Sequence, residues 1–234
     1  EGGSDTADLV ITVDPVNDAP VASGTIADQS DDDAGVVAGV ATSSFFSDID
    51  GDVLGYSASG LPAGLSIDPV TGVISGTIDN SASQGGPASD GVYSVTVTAD
   101  DGNGGTVDQT FTWTVANPAP VANDDAASTD EDVAVSGNVI GSGGAGDVAD
   151  SDADGDVLSV TTFVVAGDPA TYNAGDTATI AGVGTVLLAS DGSYTFTPDA
   201  DWNGTVPAIT YTLSDGEGGS DTADLVITVD PVND

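Results

Sequence analysis

Apolar and polar residues alternate in short runs along the whole chain, the period of a half-buried strand. DLVITV (Asp8–Val13), VLGYSA (Val53–Ala58), GVISGT (Gly72–Thr77), YSVTVTA (Tyr93–Ala99) and TFTWTV (Thr110–Val115) are β-branched or aromatic and bounded by Gly, Pro, Asn or Asp. VLSVTTFVV (Val157–Val165), GTVLLA (Gly184–Ala189), SYTFTP (Ser193–Pro198) and AITYTLS (Ala208–Ser214) continue the pattern. No window carries a helical period. Short strands at this density predict an all-β chain of two sandwiches in a row. Trp113 and Trp202 lie in or beside such runs and are expected in the cores rather than on a sugar-binding platform.

Repeats divide the chain. Residues 1–18, EGGSDTADLVITVDPVND, recur letter for letter at 217–234. That identity implies either a tandem unit in a longer parent or an engineered duplication. Weaker echoes lie within the unit. APVA stands at Ala19–Ala22 and Ala119–Ala122, and DIDGDVL (Asp48–Leu54) returns as DADGDVL (Asp152–Leu158). DDGNGGTVDQTFTWTV (Asp100–Val115) shares its layout with SDGEGGSDTADLVITV (Ser214–Val229). The expected division is a terminal strand and linker of a preceding repeat (1–18), a first domain (19–118) and a second (119–234). The connectors DPVNDAPVA and ANPAPVA are short and stiffened by proline.

Charge narrows the function classes. There are 39 acidic residues and no Lys, Arg or His, for a net charge of −39. Only Glu1, Glu131 and Glu217 are Glu, leaving 36 Asp. Such a chain lacks the basic footprint that nucleic acid or an anionic membrane surface requires. No apolar run is long enough to insert in a bilayer, and without Cys there is no disulfide. Hydrophobic content of 39% and the clean alternation oppose disorder. Nucleophile–base pairs and cationic oxyanion clamps are unavailable. Paired carboxylates could serve a glycosidase, but nothing in the sequence sets two of them around a cleft. The chain is therefore expected not to be an enzyme. Its self-repulsion must be screened by salt or cancelled by bound cations.

The two DxDGDVL loops each place three carboxylates in five residues. Ca²⁺ takes six to eight oxygens. Alternate aspartates can converge on one ion if the intervening Gly allows a tight bend, and without the ion they repel. The alternative for any Asp, and the better reading for a lone one such as Asp90, is a solvated turn or cap. DSDADGD (Asp150–Asp156) also matches the first half of an EF-hand loop, with Asp150, Asp152, Asp154 and Gly155 at positions one, three, five and six. Thr161 stands where the closing Glu belongs, and a strand follows instead of a helix. An Asp-rich site of another kind is therefore favoured over an EF-hand. GGAGDVA (Gly143–Ala149) is a single, imperfect nonapeptide-like stretch and carries no weight.

GLPAGLSIDPVTGVISGT (Gly60–Thr77) and YSVTVTADDGNGGT (Tyr93–Thr106) resemble the immunoglobulin-like, cadherin-like repeats of bacterial surface proteins. NDDAASTDEDVAVSGNV (Asn123–Val139), DGSYTFTPDADWNGT (Asp191–Thr205) and ITYTLSDGEGG (Ile209–Gly219) are similar to the VCBS-type, tandem cadherin-like repeats of giant RTX adhesins. The resemblance implies two tandem Ig-like/cadherin-like β-sandwich domains in an extended arrangement. It also implies Ca²⁺ at the junctions, type I secretion, and a place on the bacterial cell surface in adhesion and biofilm.

Carried over by residue, the resemblance gives the first junction Asp48 and Asp50, with Asp52 beside them. Asp100 or Asp101 follows the later strand, and Asn17 and Asp18 lie in the linker. The second junction receives Asp152, Asp154, Asp156 and Asp215, with Asn117 in its linker; the EF-hand-like spacing adds Asp150. ANPAP carries fewer acids than a cadherin linker, and TIDN (Thr77–Asn80) replaces the usual LDRE through Asp79 alone. The second junction is thus expected to bind metal differently, or to use Asn123 and Asp124. The implied role is a calcium-rigidified spacer, a monomer whose partners are neighbouring repeats of the same chain. Two other readings stand beside it. One is a carbohydrate- or partner-binding module, which an exposed aromatic patch near Tyr172 or Trp202 would mark. The other is homophilic contact with another adhesin chain.

Overall fold

The computed structural model describes residues 1–14, 16–142 and 146–233. Pro15, Asp234 and residues 143–145 of the GGAGDVA stretch lie outside the described residues. The first domain carries β1 (Val21–Ala22), β2 (Gln29–Asp32), β3 (Val36–Ala41), β4 (Phe46–Ser47), β5 (Gly55–Ser59), β6 (Leu65–Ile67), β7 (Val73–Thr77), β8 (Val92–Asp100) and β9 (Thr106–Ala116). One sheet runs β2-β9-β8-β5, the facing sheet β3-β7-β6, and β1 pairs with β4. Alternate residues of the long β8–β9 hairpin point inward. Val95, Val97, Phe111 and Trp113 are buried against Ile74 and Ile78. The Trp113 indole N–H donates to Asp31 Oδ2 at 3.0 Å, so its polar edge is satisfied where the ring leaves water.

The second domain carries β10 (Asp125–Asp130), β11 (Val135–Asn138), β12 (Ser159–Val165), β13 (Thr171–Asn173), β14 (Thr177–Ile180), β15 (Gly184–Leu188), β16 (Ser193–Pro198), β17 (Gly204–Thr205), β18 (Ile209–Ser214) and β19 (Ser220–Asp230). One sheet runs β10-β19-β18-β12-β13, with β17 also on β19, and the other β11-β16-β15-β14. Phe163, Tyr211, Leu213, Leu225 and Ile227 meet Val186, Leu188 and Phe196 across the core. Both domains share one device: an early strand lies parallel to the last, β2 on β9 and β10 on β19. Each parallel strand ends beside the exit of its domain.

The predicted strand Asp8–Val13 is not formed: residues 1–14 take no strand structure. Leu9, Val10, Ile11 and Val13 are 74–85% exposed, while the same letters at Leu225 and Ile227 are wholly buried in β19. The difference is physical. A strand's backbone groups and apolar face need neighbours; β19 lies between β10 and β18, and the first copy pairs with no strand among the described residues.

Candidate metal centre at the domain junction

In each acidic loop the first aspartate bends the chain over its own carboxylate. Asp48 Oδ1 accepts the amides of Asp50 (2.8 Å) and Asp52 (3.4 Å). Asp152 Oδ1 accepts those of Asp154 (3.1 Å), Gly155 (3.2 Å) and Asp156 (3.4 Å). The bends run through Gly51 and Gly155, whose φ values of 80° and 88° suit glycine. One carboxylate oxygen from each of Asp48, Asp50 and Asp52 lies within 4.8 Å of the other two, as does one from each of Asp152, Asp154 and Asp156.

A second loop and the linker close on each triad in matching fashion. The Asn17 amide donates to Asp101 Oδ2 at 2.9 Å, and the Asn117 amide to Asp215 Oδ2 at 2.8 Å. Asp101 Oδ1 takes the amides of Asn103 and Gly105, and Asp215 Oδ1 those of Glu217 and Gly219. Asn17, Asp50, Asp52 and Asn103 line an open cavity of about 440 Å³ with Val16.

The surroundings then diverge. At the first triad Asn103 donates to Asp52 Oδ2 at 2.9 Å. At the matching place beside Asp156 stands Glu217, an anion. The first domain reaches over the second triad: Asn80 donates to Asp156 Oδ1 at 3.4 Å, and Gln84 to the Glu217 carbonyl at 2.8 Å. Asp33, 4% exposed, spends Oδ1 on the Ser83 amide at 2.9 Å. Its other oxygen accepts nothing. The same holds for buried oxygens of Asn117 (Oδ1), Asp152 (Oδ2), Asp154 (both), Asp156 (Oδ2) and Glu217 (Oε2), whereas the first triad has one such oxygen, Asp48 Oδ2.

Burial, then the neighbouring charges of Asp152 and Asp156, push Asp154 up to about 7. Burial raises Asp156, with help from Asp152, Asp215 and Asp33. Burial likewise raises Glu217, and Asp156, Asp33, Asp215 and Asp79 add to it. Carboxylates left in this state cost free energy unless a proton or cation joins them. The donor set is oxygen only, the chemistry of a hard cation such as Ca²⁺.

The other sequence candidates make contacts of their own. Asp100 ends β8 exposed and caps the Gly102 amide at 2.7 Å, so of the pair Asp101 turns to the loop. Asp18 is exposed, and its amide holds Asp50 Oδ2 at 2.7 Å. Asp79 is exposed with Oδ1 on Ser81, near enough to raise Glu217 by its charge. Asp150 is not one of the three grouped carboxylates. It receives the Asn123 amide at 2.7 Å and lies within 3.4 Å of the buried Tyr211 hydroxyl, which also approaches Asp125. Asn123 is thereby engaged, and Asp124 Oδ1 caps the Asp224 amide at 2.9 Å. Sequence reasoning missed Asp33, Asn80, Gln84, Asn103 and Glu217. The one available signal was the rarity of Glu, since Glu217 sits inside a turn otherwise shared with DDGNGG.

The aromatics named for a sugar platform are engaged internally. Tyr172 stacks on Phe163 at 5.2 Å, its hydroxyl donating to Asp168 at 2.7 Å, and Trp202 packs against the core. Two β-sandwiches in series, each opening on an acidic loop, make this a tandem of modular sandwich domains. Residues 19–116 match the family model described as "Putative Ig domain", and residues 117–231 that described as "Bacterial cadherin-like domain". Each domain thus matches its own family model, and a pairing of domains of these two kinds suggests an adhesion-type extracellular module.

Among solved structures the chain is similar to Drosophila N-cadherin EC1-4 at 16% identity and TM-score 0.39, covering 91% of this chain and 50% of that one. It is similar to human protocadherin-24 EC1-2 at 20% identity and TM-score 0.36, covering 93% and 100%. A likeness to an endo-fucoidan hydrolase of glycoside hydrolase family 107 has 19% identity and TM-score 0.40, covering 95% and 30%. This chain thus spans half or less of the N-cadherin fragment and the hydrolase. Comparison with curated proteins returned no match. Among the described residues no helix is long and apolar enough to cross a membrane.

Proposed function

We propose that the chain is a pair of calcium-rigidified extender repeats of a large bacterial cell-surface adhesin, holding a distal binding domain away from the cell. One observation carries the reading. At the second junction, buried oxygens with no hydrogen-bond partner come from both domains and the linker: Asp33, Asn117, Asp152, Asp154, Asp156 and Glu217. Ca²⁺ would supply the positive charge that the side chains lack. Asp152 and the Gly155 bend pre-shape the loop. Asp215 orients Asn117 through its amide and leaves the amide oxygen free. Asp33 ties the first domain to the same centre, so a cation there fixes the angle between neighbours. Empty, the same carboxylates repel and loosen the joint, which suits export of an unfolded chain from a low-calcium cytosol. Extracellular modules bind at about 10⁻⁴–10⁻³ M, and each site tenfold above its Kd adds about 1.4 kcal/mol.

Calorimetric titration with Ca²⁺, together with melting in calcium and in EGTA, tests the reading. Millimolar-range binding and a raised melting temperature are expected. Heats of dilution alone and equal melting would show the loops to be ordinary solvated turns.

A further inference from the structure

The chain holds two Asn–Gly pairs, Asn103–Gly104 in the turn DDGNGG and Asn203–Gly204 in DWNGT. Such a pair can lose its side-chain amide without an enzyme. The glycine backbone nitrogen gives up its proton and bonds to the Asn Cγ. The Cγ–Nδ2 bond breaks, and the amino group takes up a proton and leaves as ammonia. Water then opens the cyclic imide to aspartate or isoaspartate. Glycine permits the step because no side chain shields its nitrogen and its backbone is free to swing.

The two pairs stand in different surroundings. Asn103 is exposed in the turn between β8 and β9. Its neighbours Gly102 and Gly104, with φ of 75° and 106°, have open space where a Cβ would stand. The Gly104 amide faces the Asp101 carboxylate, an acceptor placed for the proton that the attacking nitrogen gives up. Gly204 instead opens β17, in register with Val229 of β19. Beyond it the Val206 amide donates to the Ile227 carbonyl at 2.9 Å. Swinging the Gly204 nitrogen onto Asn203 would pull this ladder apart.

The Asn103 side-chain amide is the donor that Asp52 Oδ2 receives at 2.9 Å. In the matching turn of the second domain, DGEGG, the corresponding side chain is the Glu217 carboxylate. A carboxylate at position 103 therefore withdraws a donor from the first acidic loop and adds an anion. It gives that loop the chemistry its counterpart already carries.

We propose that Asn103 is a self-modifying site, which exchanges its amide for a carboxylate with uptake of water and release of ammonia, and so turns the Asp48–Asp52 loop from amide-capped to fully anionic. The modification stands on the turn alone; its effect on cation binding rests on the calcium reading above.

Incubation of the full chain in mildly alkaline, calcium-free buffer, followed by peptide mapping with mass spectrometry, tests the site. The mass gain of amide-to-acid conversion is expected at Asn103, with isoaspartate among the products, while Asn203 in the same sample keeps its amide. Conversion of Asn203 as fast as that of Asn103, or no conversion at Asn103, overturns the proposal. Calcium titration in an Asp154→Asn background, which silences the second loop, reads the consequence. Asn103→Asp should raise affinity at the first loop a few-fold, and Asn103→Gln should show no drift in affinity on incubation. Unchanged affinity in Asn103→Asp would overturn the change of loop chemistry. Absence of calcium binding at both loops of the unsubstituted chain would instead sink the calcium reading, with the conversion at Asn103 still decided by the peptide map.

Discussion

The loops Asp48–Asp52 and Asp152–Asp156 are nearly the same in letters and very different in surroundings. The first faces an amide, Asn103, which gives Asp52 a donor. The second faces Glu217 and the buried Asp33, and both oxygens of Asp154 accept nothing. An acidic loop is therefore half a site, and the neighbouring domain decides whether its carboxylates stay solvated or become a demand for a cation. Electrostatics in the drier, more crowded loop are the stronger for it.

The largest expected effect separates the loops by sign. Asp154→Asn should abolish calcium binding at the second loop and cost about 1.4 kcal/mol or more in calcium, roughly 4–8 °C of melting temperature per kcal/mol for a domain of this size. In EGTA the same substitution should stabilise, because it removes a buried, repelled charge. Asp50→Asn, at an exposed position, should do little in either buffer; equal effects at the two loops would break the comparison. Next in size is Asp33→Asn. It leaves the second domain's own ligands intact, and should weaken calcium at the second loop about tenfold without touching the first. A smaller effect is expected from Glu217→Asn, which copies the first loop's chemistry into the second: affinity falls a few-fold, read by the same titration.

Proton linkage sharpens the contrast further. Burial, with Asp147 and Asp150 nearby, pushes Asp125 up to about 6, well above the ordinary aspartate value. A folded pKa above the unfolded one stabilises fully below the unfolded value and loses that contribution as pH rises through the folded one. In EGTA the second domain should therefore lose melting temperature as pH climbs from near 3.8 to beyond 6, and Asp125→Asn should flatten that fall. Asp101 in the first domain behaves oppositely. The Asn17 hydrogen bond holds it low, so its contribution is present above the unfolded pKa and lost in acid. If Asp125→Asn left the slope unchanged, the buried Asp125–Tyr211–Asp150 contact would not be what titrates.

The long antiparallel strands were legible because their apolar faces alternate: Val95, Val97 and Ala99, then Phe111 and Trp113, mark the β8–β9 core face unaided. The parallel strands β2, QSDD, and β10, DAASTD, were not, because Asp and Ser are poor strand residues. Their place is set by the last strand of each domain, and Asp33 was hidden with them. Asp150 reads as part of the acidic loop by spacing alone, yet it is directed to the buried hydroxyl of Tyr211, a contact across sixty-odd positions that no local pattern encodes. The duplicated segment makes the same point: DLVITV is a buried strand at 224–229 and an exposed, unpaired stretch at 8–13. Local pattern states what a segment can do, and its neighbours decide whether it does so.

The central claim is that one cation shared between Asp33 and the Asp152–Asp156 loop fixes the two domains against each other. Small-angle scattering of the chain in millimolar calcium and in EGTA, with Asp154→Asn alongside, tests it most directly. The account predicts a single stiff, extended particle in calcium, and a looser distribution both in EGTA and for the variant in either buffer. Identical scattering under all these conditions would contradict it.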